Sequence, residues 1–502
     1  MTSTLISPSS LGIPDAVDYR MVIGGAPVEA IGGGWTDVTT PILRDHVIAR
    51  VPTGEAADVD LAVQAARDAF PQWRAMPFAS RQRALGRIAD AIEDRVDELA
   101  FITALDTGNA IRTQARPEAG GLANMFRYFA GIAGETKGVV LPAGDDQLSY
   151  TRLEPLGVVG AILPWNSPLM IAGFKIPAAL AAGNTVVVKA AEAAPLSVIL
   201  LAEICSEFLP AGVLNVVTGT GPVAGERLVQ HPGVDKVSFT GSTEVGRHVA
   251  REAGHRLAHV SLELGGKNPS IVFPDAVNDD DLIANLLLSS RVHRQGQSCT
   301  AGSRIFLHED IYDEVLAQLV DSLGSQIVGN PLDESTDIGA IINQKQFDSV
   351  TSFVEEGIAT EGIDLALDGS PRTVGDLSGY YMAPTIFAGA TNDWRLSREE
   401  IFGPVVVVIP WRDEADVIAM ANDSHYGLAA YLWTHDIDKA IKTAHALETG
   451  WVQVNQGGGQ VAGQSYGGYK QSGIGREASL EGMIAGFTQT KQINIKLRTP
   501  NL

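Results

Sequence analysis

The sequence predicts an α/β protein of two or three domains, and three observations carry the prediction. Short apolar runs alternate with helix-periodic stretches from Val158 to Ala253, the pattern of parallel strands joined by crossover helices. The alternation restarts after Gly265. The 502 residues also exceed what one hydrophobic core holds. Apolar residues make up 45% of the chain and charged residues 19%, as in soluble globular proteins.

Taken in order, residues 1–55 read as irregular, rich in Gly, Pro and Thr. Val59, Val63, Ala66 and Phe70 recur at helical spacing across Ala57–Phe70, and Leu85, Ile88, Ile92, Val96 and Leu99 do so across Ser80–Leu105. Gly138–Pro142 and Gln147–Leu153 are extended runs joined through Gly144-Asp145-Asp146, which reads as a hairpin. The run Phe487–Leu497 alternates apolar and polar residues like an edge strand. Hairpin and terminal strand are either ordinary surface structure or an oligomerisation element.

Strands follow at Val158–Leu163, Thr185–Val188, Val213–Val217 and Asp235–Phe239, with helices at Pro195–Phe208, Val223–Leu228 and Thr243–Ala253. In such sheets ligands bind at the carboxyl ends of the strands. The residues there are Trp165-Asn166, Lys189, Gly219 and Thr240-Gly241-Ser242. Beyond Gly265 come a helix near Asp280–Arg291 and a strand at Ser303–Leu307. The expected division is 1–136 with 156–263 as the first domain, 264–470 as the second, and 137–155 with 471–502 as a small bridging element.

Acidic side chains outnumber basic ones by 59 to 37, a formal charge of −22. A nucleic-acid binder needs a basic face to displace counterions, so this balance speaks against nucleic acid, and equally against an anionic membrane surface. No run reaches the roughly 18 apolar residues of a membrane helix. The N-terminus has neither a basic n-region nor an apolar h-region. Two cysteines, Cys205 and Cys299, form no disulfide framework and suit a reducing compartment, so the cytoplasm is expected.

The chemistry centres on Cys299. It sits in the polar, small-residue loop Gln295–Ser303, whereas Cys205 lies in an apolar stretch and fits an inert packing role. From the loop alone Cys299 is either a nucleophile or a structural cysteine. A cysteine attacking a carbonyl needs an oxyanion donor, and a base to activate water if the thioester is hydrolysed. Glu263, within the apolar run Val260–Leu264, is either that base, its pKa raised by burial, or a salt-bridged strand-end residue. Asn166 is either an oxyanion amide or a turn cap. Gly463-Gln-Ser-Tyr-Gly467 matches a hydrolase nucleophile elbow, but a glycine-rich loop stands where that motif needs a strand. Gly241–Gly246 spaces like a phosphate loop, but Arg247-His248 replaces the required Lys-Ser/Thr. No cluster with metal-ligand spacing occurs.

Together these segments resemble the aldehyde dehydrogenase superfamily along nearly the whole chain. The matching motifs, in the family's order, are Pro164-Trp-Asn, Lys189-Ala-Ala-Glu192, Phe239-Thr-Gly-Ser-Thr-Glu-Val-Gly246, Leu262-Glu-Leu-Gly-Gly-Lys267, Gly296-Gln-Ser-Cys299, Glu400-Ile-Phe-Gly-Pro404 and Gly467-Gly-Tyr-Lys-Gln-Ser-Gly473. The resemblance implies a Rossmann-like parallel-sheet domain for NAD, an α/β catalytic domain and a small β-hairpin oligomerisation element in a homodimer or homotetramer. It implies oxidation of a small-molecule aldehyde to the acid through a cysteine thiohemiacetal and thioester. A CoA-acylating semialdehyde dehydrogenase is the alternative. Such relatives typically lack the general-base glutamate, and Glu263 is present.

By the same resemblance Cys299, Glu263, Asn166 and Lys189 form the catalytic set. Lys189 and Glu192 would hold the adenosine ribose, Ser242 the pyrophosphate, Glu400 the nicotinamide ribose with Gln346, and Phe402 the ring. Ile162, Leu163, Trp165, Gly219, Gly225, Phe239, Gly241, Val245 and Leu264 complete the cofactor site. A carboxylate at Glu192 repels a 2′-phosphate, favouring NAD, while Lys189 would tolerate NADP. The Lys189-Ala-Ala-Glu192 segment departs from the commoner Lys-Pro-Ser-Glu form but keeps both binding side chains.

The substrate pocket would include Ser167, Met170, Phe174, His293, Ser298, Thr300, Gln460 and Tyr466. Ser167 and Gly457-Gly-Gly459 suggest a roomy entrance. His293 and Arg294 stand where the family often has an aromatic residue and Asn. They either favour a carboxylate-bearing aldehyde or form a packed helix end with solvated charge. Aromatic, aliphatic and semialdehyde substrates all fit these residues.

Overall fold

The computed structural model describes residues 8–497, so the outermost parts of the expected 1–136 and 471–502 segments lie outside the described residues. The first domain is built on an eight-stranded sheet. Its centre is five parallel strands in the order His259–Glu263, Lys236–Thr240, Val158–Ile162, Thr185–Lys189, Leu214–Val217. These strands are short, apolar and mostly buried, as expected where helices cover both faces. Helix Ala56–Ala75 packs on Thr185–Lys189 and Leu214–Val217, and Thr243–His255 on the two strands before the domain junction.

A second sheet has seven strands. Thr385–Ala388, Val405–Trp411, Arg304–His308, Pro269–Val272, Ala429–Trp433 and Trp451–Val454 run parallel, and Asp364–Leu367 is antiparallel at one edge. One continuous apolar cluster joins the sheets. It contains Val159, Ala161, Val186 and Val188 of the first and Val272, Ile305, Leu307 and Val406 of the second. Helix Pro168–Ala182 contributes Leu169, Phe174, Ile176 and Leu180 to that cluster. It is apolar on every side and buried along its length, as such helices must be.

The structure corrects three expectations. Residues 1–55 are not wholly irregular. Met21–Ile23 and Ala26–Val28 extend the first sheet antiparallel to Leu214–Val217, and Val17–Asp18, Trp35–Thr39 and Val47–Pro52 form a three-stranded sheet. The first three are only two or three residues long, and Trp35–Thr39 and Val47–Pro52 bury residues without a strict alternation, so none shows a readable period. Ser80–Leu105 is two helices, Phe78–Asp94 and Val96–Thr107, broken at Arg95 (ψ 20°); the apolar series continues across the break and conceals it. Residues 471–487 belong with the first domain rather than the bridging element. Gly473–Ile474 pairs with His259–Glu263, and helix Leu480–Phe487 packs on Pro168–Ala182.

The hairpin stands as a three-stranded antiparallel sheet of Val140–Leu141, Gln147–Pro155 and Thr488–Lys496, in register from Pro155↔Thr488 to Gln147↔Lys496. Val139, Val140, Leu141 and Leu148 are exposed on it. Among the described residues no helix is long and apolar enough to cross a membrane.

Candidate active site

All five parallel strands end at one edge, where a cavity of about 370 Å³ opens between the domains. Trp165, Asn166, Gly241, Ser242, Glu263, Leu264, Cys299, Gln346, Glu400 and Phe402 line it, as expected from the sequence. Pro164, Thr240 and Gly265 of the same motifs line it too, as do Asn343 and Lys345, which the sequence does not single out.

The outer end of this edge carries the segment Lys189–Glu192. Lys189, buried at the end of its strand, has Nζ 3.7 Å from Glu192 Oε1. Burial lowers the Lys189 pKa against the pull of Glu192. The Glu192 side chain is 51% exposed and accepts from the Gly221 N–H. Gly221 opens a π-helical turn that runs to Gly225 and leads into helix Glu226–Gln230. Gly219 takes φ +105°, and a Cβ there would overlap the Gly54 carbonyl, so glycine is required. Ser242 caps helix Thr243–His255 by accepting from Val245 N–H at 3.3 Å. Val245 itself is exposed, while Ile162, Leu163 and Phe239 are buried. An exposed carboxylate beside a lysine, a helix N-terminus and an exposed apolar side chain form a set able to hold a dinucleotide.

At the inner end, Glu400 Oε1 accepts from Gly266 N–H at 2.9 Å. A side chain at Gly265 would overlap Glu400 Oε2 and press on Tyr426 at 3.2 Å, so the carboxylate rests on bare backbone. Burial pushes the Glu400 pKa up to about 7, against the Gly266 N–H and the Lys267 charge. Phe402 takes φ 55° and stacks edge-on against Trp165, centroids 5.4 Å apart. Gln346 reaches the cavity, but its Nε2 donates to the Phe402 and Ile401 carbonyls at 3.0 and 3.3 Å, so it braces this turn.

Cys299 sits on a loop pinned from several sides. Arg291 and Gln295 adopt left-handed backbone at φ 56° and 53°. Gln295 Nε2 donates to Gly108 O (3.0 Å), Gln297 Oε1 accepts from Ile342 N–H (3.1 Å), and Asn268 Nδ2 donates to Cys299 O (2.8 Å). Asn166 Nδ2 donates to Gln297 O at 2.9 Å, which sets its amide beside the thiol loop. The thiol is pushed up to about 11 by burial, pulled down by the Tyr466 hydroxyl at 3.5 Å, and raised by Glu400 and Glu263.

Glu263 is 2% exposed, and neither carboxylate oxygen has a hydrogen-bond partner within the chain. Its Oε1 lies 3.0 Å from where a Cβ on Gly467 would stand. Burial lifts its pKa well above the usual carboxylate range, reinforced by Glu477 and opposed by Lys175 and Arg476. Behind it lies a buried ionic network. Lys175 Nζ donates to Glu477 Oε1 (2.7 Å) and Ser238 Oγ (3.0 Å), and the Ser238 hydroxyl donates to Glu477 Oε1 (3.0 Å). Lys175, Glu477 and Asn268 are absent from the sequence-derived set. Lys175 had a legible signal, the single charge in an all-apolar helix. Glu477 had none.

The expected substrate residues divide. Met170 and Gln460 line a separate opening of about 460 Å³ with Met125, Tyr128 and Val461. Ser167, Phe174, Ser298, Thr300 and Tyr466 are buried around the thiol loop, with Phe174 against the Tyr466 ring at 5.4 Å. Of the Gly457–Gly459 run, Gly457 is wedged against the Asn285 carbonyl. Burial, with Arg294 and Arg291, lowers the His293 pKa to about 3, so His293 is neutral near pH 7. Arg294 is partly buried rather than a freely solvated charge. It donates to Ser167 Oγ at 3.1 Å and feels the buried Glu118 carboxylate. Ser465, the serine of the elbow-like motif, lies exposed in a loop with neither strand nor helix around it.

A strand-end cleft suited to a dinucleotide, closed at its inner end by a part-buried thiol, a part-buried carboxylate and a fully buried one, defines an oxidoreductase of carbonyl compounds. The Aldehyde dehydrogenase family model matches residues 30–493, and the chain belongs to that family. It is 42% identical over 479 residues to hydroxyisobutyraldehyde dehydrogenase of Mycolicibacterium austroafricanum, covering 94% of each chain. Among solved structures it resembles a putative aldehyde dehydrogenase from Burkholderia cenocepacia at TM-score 0.92 and 41% identity, covering 96% of this chain and 99% of that one. The NAD⁺ complex of an aldehyde dehydrogenase from Bacillus cereus matches at TM-score 0.92 and 38% identity, covering 98% and 99%. The protein is an NAD-dependent aldehyde dehydrogenase that oxidises an aldehyde to the carboxylic acid.

Proposed function

We propose that Cys299 is the nucleophile of this oxidation, with Asn166 and the Cys299 N–H as oxyanion donors and Glu263 as the base that activates water. The carrying observation is the convergence of the three side chains on one cavity, with a glutamate whose oxygens have no partner in the chain. The Sγ attacks the aldehyde carbon, and the amide of Asn166 meets the charge that develops on oxygen. In a water-poor site such a donor contributes about 3 kcal/mol. NAD, when bound, supplies the two-electron acceptor. Glu192 and Lys189 would hold its adenosine ribose, Ser242 its phosphates, and Glu400 and Phe402 its nicotinamide half. Glu263 then takes a proton from water, and hydrolysis of the thioester frees the acid. An available water base at Glu263 supports hydrolysis over transfer to CoA.

On the substrate side, a neutral His293 and an Arg294 balanced by Glu118 speak against a carboxylate-bearing tail. The Ser167–Arg294 contact supports a polar, uncharged one, in keeping with the hydroxylated aldehyde that names one relative. The exposed apolar residues of the three-stranded sheet support a homodimer or homotetramer. The acidic charge and free cysteines support a cytoplasmic enzyme.

NADH absorbance tests the proposal, with aromatic, medium-chain aliphatic, carboxylate-bearing and short hydroxylated aldehydes, each with and without CoA. We expect the hydroxylated aldehyde to lead and CoA to have no effect. Cys299→Ala should abolish NADH formation while NAD binding persists. Normal turnover by that variant would sink the nucleophile assignment.

A further inference from the structure

Tyr466 places its hydroxyl 3.5 Å from Cys299 Sγ, and the ring cannot drift. The residue is 2% exposed. Its backbone exchanges hydrogen bonds with Glu477 at 3.1 and 2.7 Å, and its ring packs on Phe174 and Trp451, centroids 5.4 and 6.1 Å away. A buried phenol has one proton to donate, and the sulfur is an acceptor in reach.

The other titratable groups facing the sulfur make the need for a donor plain. Glu400, across the cavity, and Glu263, at the end of its strand, both oppose negative charge on Cys299. The facing cation is Arg294, five residues upstream on the same loop, and its field is shared with Glu118. We propose that Tyr466 is a catalytic hydrogen-bond donor to the Cys299 sulfur, stabilising it as thiolate both when it attacks the aldehyde and when it leaves the thioester. The inference rests on Cys299 being the nucleophile.

The Cys299 thiol gives its proton to solvent. A sulfur electron pair then forms the C–S bond, the carbonyl π pair moves to oxygen, and Tyr466 keeps its proton throughout. Loss of a hydride to bound NAD would turn the adduct into the thioester. In hydrolysis, water loses a proton to Glu263 and forms the new C–O bond. The C–S pair returns to sulfur, where the Tyr466 O–H meets it. No further oxidant or proton source is required. Burial raises the Tyr466 pKa above its ordinary value, in keeping with a donor that stays protonated.

The test is alkylation of the whole protein by iodoacetamide across pH, in wild type and Tyr466→Phe. Alkylation reports on Cys299 because Cys205 is buried and its thiol is pushed far up. The phenylalanine variant keeps the ring packing and the backbone bridge, so its melting curve should match wild type. We expect the alkylation midpoint to move to higher pH and the rate near neutrality to fall by about tenfold or more, the effect of losing a hydrogen bond to an ionised group. An unchanged pH profile in the folded variant would overturn the role of Tyr466. Full NADH formation by wild type after complete alkylation of Cys299 would instead overturn the nucleophile assignment, so the two failures are distinguishable.

Discussion

The two ends of the cleft use the same side chain in opposite ways. At the outer end Glu192 is half in water, hydrogen-bonded to Gly221 and close to Lys189. At the inner end Glu263 is buried, unpaired, and holds its proton far into the pH range where an exposed glutamate has lost it. The difference is solvent. Water screens the outer carboxylate and leaves it a recognition group, whereas desolvation at the inner end makes a carboxylate basic enough to take a proton from water.

The sharpest break in that comparison is Glu263→Gln, which should lower thioester hydrolysis by about 10²–10⁴-fold. Mass spectrometry should then find acylated Cys299 accumulating. In wild type the hydrolytic rate should climb with pH as Glu263 deprotonates through its raised pKa, and the variant should be flat across that range.

Next is Lys175→Met, which removes the cation from a buried pair and leaves Glu477 without its hydrogen-bonded partner, with Lys236 acting on it through its field alone. A loss of about 3–5 kcal/mol is expected in denaturant titrations. A change below 1 kcal/mol would mean that the network is not electrostatically coupled.

A smaller effect attaches to Glu400. Its pKa rises from 4.5 to about 7 on folding, so between those values the folded state holds a proton that the unfolded state has released. Stability from this group therefore falls as pH rises through that window and is level above it. Melting curves of Glu400→Gln should lack this part of the wild-type slope.

The smallest effect belongs to the wet end. Glu192→Gln should raise the KM for NAD by about fivefold or less, in line with a screened, exposed contact. It should also improve the use of NADP relative to NAD. A loss as large as that for Glu263→Gln would erase the distinction between the two ends.

Legibility in the sequence follows the same divide. Four parallel strands of the first sheet, from Val158 to Phe239, are legible because each is a short apolar run closed by Pro or a polar residue, with the cofactor-side residues following directly in chain order, whereas in the second sheet only the strand near Ser303–Leu307 is read. Lys189, Gly219, Gly241 and Ser242 all stand where that rule puts them. The inner end is assembled from distant segments, and proximity is what gives them their chemistry. Glu477 meets Lys175 across 302 positions, and Tyr466 meets Cys299 across 167. Nothing local to Glu477 announces a buried partner. Likewise the sequence leaves Arg294 either an anion grip or part of a packed helix end, and its contacts with Ser167 and Glu118 come from distant segments. Within residues 17–52, Val17–Asp18, Met21–Ile23 and Ala26–Val28 are too short to carry a period, and Trp35–Thr39 and Val47–Pro52 bury residues without a strict alternation.

The turn that bears Glu192 is closed by a bridge between Ala191 and Ala194 and borders water on its outer side. Glu192 is the exposed residue of that turn, while Ala191 and Ala194 are buried, so a substitution at Glu192 displaces no packed side chain, and on the proposed assignment it changes coenzyme choice without touching the thiol loop. A laboratory lineage selected for the phosphorylated coenzyme should collect its first changes around residues 189–194 and leave the loop of Cys299 untouched.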